Sequence, residues 1–331
     1  MAAPSAARRD EVGEATYRGA TAEALREEMQ RDERVFLLGR EVTASREVRG
    51  LMERFGPERF VDVPAAEDTI MGMAVGAAAE GLRPVVQLRA RDDITTGFDQ
   101  LMAAGALHYR SGVSLPLVVR SPSGGGVRGG PFHSGNPEPW LAHAPGIKVI
   151  CPAFPTDAKG LLKSAIRDDN PCVLLEHGWI NRRVREVVPD DPDLLVPIGK
   201  AEVKRRGQDV TIVASGAMVH RALEAAEDLA EDGVSAEVVD LRTISPLDTE
   251  SILESVARTG RALVLYESLR FLGVGAEVAA VIAEAGFEHL DAPVVRVAPP
   301  NTPVPFSAPL EDAFLPQVED IVEAVQKLSG W

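Results

Sequence analysis

The stretch that decides the fold reads DVTIVASG (209–216), then HRALEAAEDLAEDG (220–233), then SAEVVDLR (235–242). The outer pieces are short apolar runs rich in β-branched residues, and each reads as a strand buried on both faces. The middle piece spaces its alanines and leucines at three and four residues and reads as a helix. Strand, helix, strand in that order calls for a parallel pair joined by a crossover helix. Downstream, DTESILESVARTG (248–260) reads as a helix, ALVLYES (262–268) as a strand and GAEVAAVIAEAG (275–286) as a helix. Upstream the same alternation recurs. TAEALREEMQRDE (21–33) is helical and VFLLG (35–39) is a buried strand; PVVQL (84–88), LPLVV (115–119), IKVICP (147–152) and CVLLE (172–176) are strand-like. FDQLMAAGALHYR (98–110) and DAKGLLKSAIRD (157–168) supply helices between them. The fold class is therefore α/β, with two doubly wound domains, each a mostly parallel sheet covered on both faces. Residues 184–208, charged and proline-bearing, break the pattern and read as the linker between a domain at 14–183 and one at 209–331. Residues 1–13 are small and polar and read as a flexible tail.

Composition agrees. A chain of 331 residues, 45% hydrophobic, has the length and the apolar content for two such cores. Its 50 acidic and 35 basic residues give a net charge of −15, which argues against nucleic acid as a partner, since phosphate neutralisation needs clustered Lys and Arg. No apolar run approaches the roughly 20 residues that span a bilayer, and the N-terminus lacks a hydrophobic signal core. Cys151 and Cys172 show no metal-ligand or CxxC spacing and read as buried thiols in a reducing compartment. The expectation is a cytoplasmic protein.

Two segments carry candidate chemistry. FVDVPAAEDTIMGMAVGAAAEG (60–81) is an extended segment that ends at Pro64, followed by Glu67 at the head of an alanine- and glycine-rich helix. On spacing alone Glu67 reads as a cap that meets the helix dipole. The small residues Gly72, Ala74, Gly76, Ala77 and Ala78 would let another backbone approach. SPSGGGVRGGPFHSG (121–135) is a loop of unusual backbone angles ending near His133. It could cradle a phosphate, although GxxxxGK[ST] is absent, and a loop histidine is commonly no more than exposed. The six histidines are scattered without metal-ligand spacing, and no serine lies in a GxSxG elbow.

Taken together, RDERVFLLG (31–39), RFGPERFVDVP (54–64), AVGAAAEGLRPVV (74–86), GFDQ (97–100), HYRSG (108–112), HAPGIKVICP (143–152), DAKGLLKSAIRDDNPCVLLE (157–176), DLRTISPLD (240–248), GAEVAA (275–280) and NTPVPFSAPLEDAFLP (301–316) make a pattern. The chain, from about residue 15 to 330, resembles the β subunits of the pyruvate, branched-chain 2-oxo-acid and acetoin dehydrogenase decarboxylating components. The resemblance implies a transketolase-like pyrimidine-binding domain followed by a transketolase C-terminal domain. It implies oxidative decarboxylation of a 2-oxo acid with acyl transfer to lipoamide. The cofactor would be thiamine diphosphate, shared with an α subunit in an α2β2 heterotetramer. The diphosphate and Mg²⁺ would belong to that α subunit, whose GDG…N motif is missing here. A lipoyl acyltransferase would be a further partner.

By the same resemblance Glu67 matches the cofactor-activating glutamate. A carboxyl group on the aminopyrimidine ring nitrogen favours the imino tautomer, which activates the thiazolium carbon. His133 matches the histidine that faces cofactor and incoming lipoamide and moves a proton during reductive acylation. Leu117, Ala165, Ile166, Asp168 and Asn170 match a K⁺ site built mainly from backbone carbonyls. Departures cluster near the active site. Arg40 stands where the family has an acid, and the loop 43–51 is short. The glutamate motif runs AEDT (66–69), where the family continues with a small residue and glycine. RARDD (89–93) replaces an aromatic segment, so that Asp93 takes the position that stacks on the aminopyrimidine. These changes imply an altered substrate, altered chemistry or weaker cofactor binding; an altered pocket would favour a polar 2-oxo acid, unless the charges pair with one another or with the α subunit. Two alternatives stay open on sequence: a specialised decarboxylase or ligase outside any dehydrogenase complex, or a catalytically weakened assembly subunit.

Overall fold

The computed structural model describes residues 14–330 and divides them into two compact units. The proposed tail at 1–13 lies outside the described residues. The first unit holds the described residues up to Pro122 together with Trp140–Glu176 and Ile180–Ile198. The second holds Ser123–Pro139, His177–Trp179 and the chain from Gly199 onward.

The first unit carries strands β1 (Glu14–Thr16), β2 (Val35–Gly39), β3 (Phe60–Asp62), β4 (Arg83–Gln87), β5 (Val118–Ser123), β6 (Lys148–Ile150), β7 (Cys172–His177) and β8 (Arg185–Val187). Its main helices are α1 (Tyr17–Arg31), α2 (Arg46–Phe55), α3 (Glu67–Ala79), α4 (Asp93–Thr96) and α5 (Phe98–Ser111). Strands β6-β7-β5-β4-β2-β3 lie side by side in that order, and the β2–β3, β2–β4, β4–β5 and β6–β7 pairs are parallel. From β2 the chain leaves through α2 toward β3; from β4 it leaves through α4 and α5 toward β5 on the other side. The carboxyl ends of β2 and β4 thus form a topological switch point, the place where open α/β sheets bind ligands.

Helix starts are set by local chemistry. Thr16 caps α1 by accepting the Gly19 N–H at 3.0 Å. In the second unit Asp248 does the same for the helix Thr249–Thr259. The helix Pro155–Arg167 departs from a simple amphipathic reading. Its Lys159 and Lys163 are fully buried, and both ammonium groups reach Glu27 of α1, at 2.9 and 2.6 Å. Lys163 also donates to the Pro192 carbonyl at 2.5 Å. Buried charge persists here because each group is paired. Both cysteines are free and buried, and burial pushes the Cys172 thiol up.

The second unit carries β9 (Glu202–Arg205), β10 (Val210–Ala214), β11 (Ala236–Asp240), β12 (Thr243–Ser245), β13 (Ala262–Leu265) and β14 (Val295–Val297). Its sheet runs β14-β13-β10-β11-β9, parallel except for the antiparallel edge strand β9. The switch point of this sheet lies between β10 and β13. The charged stretch 184–208 is structured at both ends, since β8 pairs with β1 and β9 pairs with β11. The unit boundary falls within it, between Ile198 and Gly199. No helix among the described residues is long and apolar enough to cross a membrane.

Candidate active site

At the switch point of the first unit, the segments after β2, β3 and β4 bring Arg40, Glu67 and Asp93 together. Glu67 is the first residue of α3, and the preceding Ala66 offers no side-chain cap. The Glu67 side chain is 12% exposed. Its Oε1 is buried without a hydrogen-bond partner, so it makes no capping bond there, although it stands in the first turn of α3, where the helix dipole favours an acid. Arg40 Nη1 stands 3.3 Å from that oxygen, and Arg40 Nη2 stands 3.5 Å from Asp93 Oδ2. Asp93 Oδ2 also accepts the backbone N–H groups of Arg89 and Ala90 at 3.0 and 2.9 Å, which fixes the turn into α4. Arg89 pairs with Glu41, and the Arg91 guanidinium lies 5.6 Å from the centre of the Trp140 ring. The charged departures 89–93 are thus met largely by groups of this same unit.

Glycine at 97 is required by this packing. A Cβ there would sit 2.3 Å from Met71 Cγ and 3.2 Å from the Glu67 carbonyl, so only glycine lets the α4–α5 corner rest on the head of α3. A buried carboxylate oxygen that is charge-paired but accepts no hydrogen bond is the feature a protonated ring nitrogen would satisfy, so the residues present fit the aminopyrimidine.

The K⁺ candidates lie elsewhere in the same unit. The Leu117 carbonyl accepts the Cys172 N–H at 2.9 Å. The Ala165 carbonyl accepts the Asp168 N–H at 3.3 Å, and the Asn170 carbonyl faces Cys172 Sγ at 3.4 Å. Arg83 Nη1 donates to the Ile166 and Asp168 carbonyls at 2.8 and 3.0 Å. Lys148 Nζ meets the Asp168 carboxylate at 2.5 Å.

In the second unit His133 is exposed on a four-residue helix, α6 (Gly130–His133). The glycine-rich loop before it is no empty cradle. The Gly125 N–H and the Asn136 amide donate to Glu267, and the Gly126 and Arg128 N–H groups donate to Glu311, each at 3.1 Å. Chain-supplied carboxylates hold the place that a phosphate would take. Glu267 lies at the carboxyl end of β13, and its other oxygen meets His177 Nε2 at 2.8 Å. Gly124, at φ +80°, faces that ring so closely that a Cβ would lie 2.0 Å from His177 Nε2. Burial alone pushes the Glu267 carboxyl up, but His177 and the N–H donors outweigh it and bring it to about 2. Sequence reasoning singled out none of His177, Glu267 and Glu311. The available signal was the triple glycine 124–126, which requires a close neighbour.

Glu138 is the reverse case. Burial, reinforced by the Glu267 charge, pushes its carboxyl up to about 7. In the unfolded chain it titrates near the ordinary glutamate value, so between that value and about 7 only the unfolded state ionises. Stability then falls as pH rises across this window, by on the order of 3 kcal/mol at the plateau. Glu138→Gln removes the dependence. In urea melts the variant should gain roughly 2 kcal/mol on the parent between pH 5 and pH 8; a pH-independent difference would overturn the assignment.

Comparison with known proteins agrees with this geometry. Residues 13–178 match the family "Transketolase, pyrimidine binding domain", and residues 199–321 match "Transketolase, C-terminal domain". The 2-oxoisovalerate dehydrogenase subunit beta of Bacillus subtilis (strain 168) is 43% identical over 314 residues, 92% of this chain and 96% of the relative. The pyruvate dehydrogenase E1 component subunit beta of the same organism is 43% identical over 316 residues, 93% of this chain and 97% of the relative. Among solved structures, a chain described as "Split gene transketolase, inactive beta4 tetramer" aligns with a TM-score of 0.75 and 26% identity, over 95% of this chain and 98% of that one. These whole-length relatives favour the dehydrogenase reading over the free decarboxylase and the weakened assembly subunit. The chain belongs to the β subunits of the thiamine-diphosphate-dependent 2-oxo-acid dehydrogenase decarboxylating components, a family built on transketolase-like domains.

Proposed function

We infer that this chain supplies the aminopyrimidine half of the cofactor site in an α2β2 enzyme that decarboxylates a 2-oxo acid oxidatively and passes the acyl group to a lipoyl acyltransferase. The observation that carries this reading is Oε1 of Glu67 at the switch point, which is buried, accepts no hydrogen bond and has only the Arg40 guanidinium beside it. Thiamine diphosphate, when bound, supplies the electron sink for loss of CO₂. Glu67 would meet its ring nitrogen and exchange a proton there. Arg40 orients the Glu67 carboxylate from one side. Asp93, in the position of the family's stacking aromatic, holds both Arg40 and the turn 89–93. His133 moves a proton during transfer of the acyl group.

The α subunit holds the diphosphate and Mg²⁺ in this reading. It is supported by the glycine-rich loop, whose amides at 125, 126 and 128 already serve carboxylates. Along α3, Met73 is exposed and Gly76 faces open space, a face that suits a partner helix. K⁺, if it takes the carbonyls of Leu117, Ala165, Ile166, Asp168 and Asn170, has to share those of Ile166 and Asp168 with the Arg83 guanidinium that already donates to them. The domain division 14–183, 184–208 and 209–331 and a cytoplasmic location complete the proposal.

Reconstitution tests it. CO₂ release from a 2-oxo acid should require this chain, an α subunit, thiamine diphosphate and Mg²⁺ together, with sedimentation showing a heterotetramer. Turnover by this chain alone would overturn the reading.

A further inference from the structure

We propose that Glu267 and Glu311 are positioning residues that hold the loop 124–136, and with it His133, in the shape needed for acyl transfer. The inference rests on the reading of His133 given above. The loop closes on itself at its base and around Ser134, but its middle is left-handed backbone. Gly124, Gly126 and Gly130 lie at φ of +80°, +74° and +64°, and Arg128, which is not a glycine, lies at +63°. Such a run turns successive N–H groups toward one side, where they need an acceptor.

Two buried carboxylates from distant parts of the same unit provide it. Glu311, on the helix Ala308–Phe314, is fully buried. Its Oε1 takes the Gly126 N–H, and its Oε2 takes both the Arg128 N–H and the Arg128 guanidinium, the latter at 2.9 Å. The same guanidinium donates to the Ala308 carbonyl at 3.0 Å and grips Asp312 at 2.8 and 3.0 Å. One glutamate thus satisfies the middle of the loop and anchors its one strained non-glycine residue.

Glu267 holds the ends. It bridges the Gly125 N–H on the outgoing limb and the Asn136 amide on the returning limb. A backbone bond from Gly124 N–H to the Gly135 carbonyl, at 3.2 Å, closes the base. Between these anchors, Ser134 Oγ accepts the Gly129 N–H at 2.9 Å, and the Ser134 N–H donates to the Gly130 carbonyl at 3.0 Å. That small turn carries His133. Hence the histidine is exposed while the chain on either side of it is tied to buried carboxylates. Neither glutamate needs to touch substrate; each acts through the loop.

The substitution Glu311→Gln keeps shape but puts an NH₂ where one of the loop donors needs an acceptor. Glu267→Gln does the same at the base. Both are compared with His133→Gln and the parent in the assembled enzyme with thiamine diphosphate and Mg²⁺. Three quantities are read: CO₂ release with ferricyanide as oxidant, acyl transfer to a lipoyl domain, and tryptic cleavage after Arg128. Misplacement of a reacting group by about 1 Å lowers rate by on the order of 10²-fold. Glu311→Gln should therefore cut kcat for acyl transfer by roughly 10–100-fold, leave ferricyanide-coupled CO₂ release within about threefold, and speed cleavage at Arg128. Equal loss of both half-reactions, or transfer and cleavage both unchanged, would overturn the proposal. If Glu311→Gln fails to fold, Glu267→Gln carries the same test at the base of the loop. If His133→Gln leaves acyl transfer intact, the reading of His133 has failed, and cleavage after Arg128 still decides whether the carboxylates hold the loop.

Discussion

Replacing Glu67 by glutamine should leave the protein folded and assembled and lower cofactor activation by about 10²–10⁴-fold, the range of a general acid–base contribution. Folding is spared because the α3 terminus does not use this side chain as a cap and because Oε1 makes no hydrogen bond in the chain itself. Glutamine fills the same space beside Arg40 but cannot pass a proton to a ring nitrogen. The direct measurement is exchange of the thiazolium carbon-bound proton in the assembled enzyme, followed by NMR after quenching. An exchange rate equal to that of the parent would reduce Glu67 to a structural residue.

The second large effect is on stability. Arg120 in β5 donates to Glu176 of β7 through Nε at 3.1 Å and Nη2 at 2.6 Å, and to Thr21 Oγ1 of α1 at 3.2 Å. Both members of the ion pair are buried, and the fully buried Tyr17 lies close enough to feel both charges. Burial, and then the Glu176 charge, hold the Tyr17 hydroxyl far above its ordinary range. Arg120→Ala leaves the Glu176 carboxylate without its cation in the interior, and breaking such a pair costs about 3–5 kcal/mol. Urea unfolding at pH 7 should show a loss of that size. The double change Arg120→Met with Glu176→Leu should recover most of it, since no orphaned charge remains. A loss below about 1 kcal/mol for the single variant would mean that water reaches the pair.

The alternation of apolar runs and helical spacing was legible because strands such as Val35–Gly39 are buried on both sides and show it in every residue. The linker was legible only as a change in composition. Its two strands are short and charged, and what makes them strands is their partners, β1 and β11. Lys159 and Lys163 could not be read as interior residues, because what permits their burial is Glu27 on another helix. Glu67 was visible in the sequence pattern, and so was the oddity of Arg40 and Asp93. That these three meet is a property of the switch point, where three strand ends converge. The glycine-rich loop was the hardest to read. Its hydrogen-bond acceptors lie 142 and 185 residues further along the chain, so the sequence showed a loop that could cradle a phosphate and nothing of the carboxylates that fill it.

That loop has a consequence for how the enzyme meets the anions around it. A phosphate-binding loop is saturated or vacant according to how much anion is dissolved nearby. Here the anion is part of the polypeptide, presented at a local concentration set by the fold, and tethering of this kind reaches the millimolar range or above. Free phosphate, diphosphate or nucleotide must displace a carboxylate that never diffuses away. The loop therefore has its acceptors in place when such anions run low, and a dissolved anion competes only when it matches that local concentration. Its geometry is set when the second unit folds, by carboxylates that the same chain supplies.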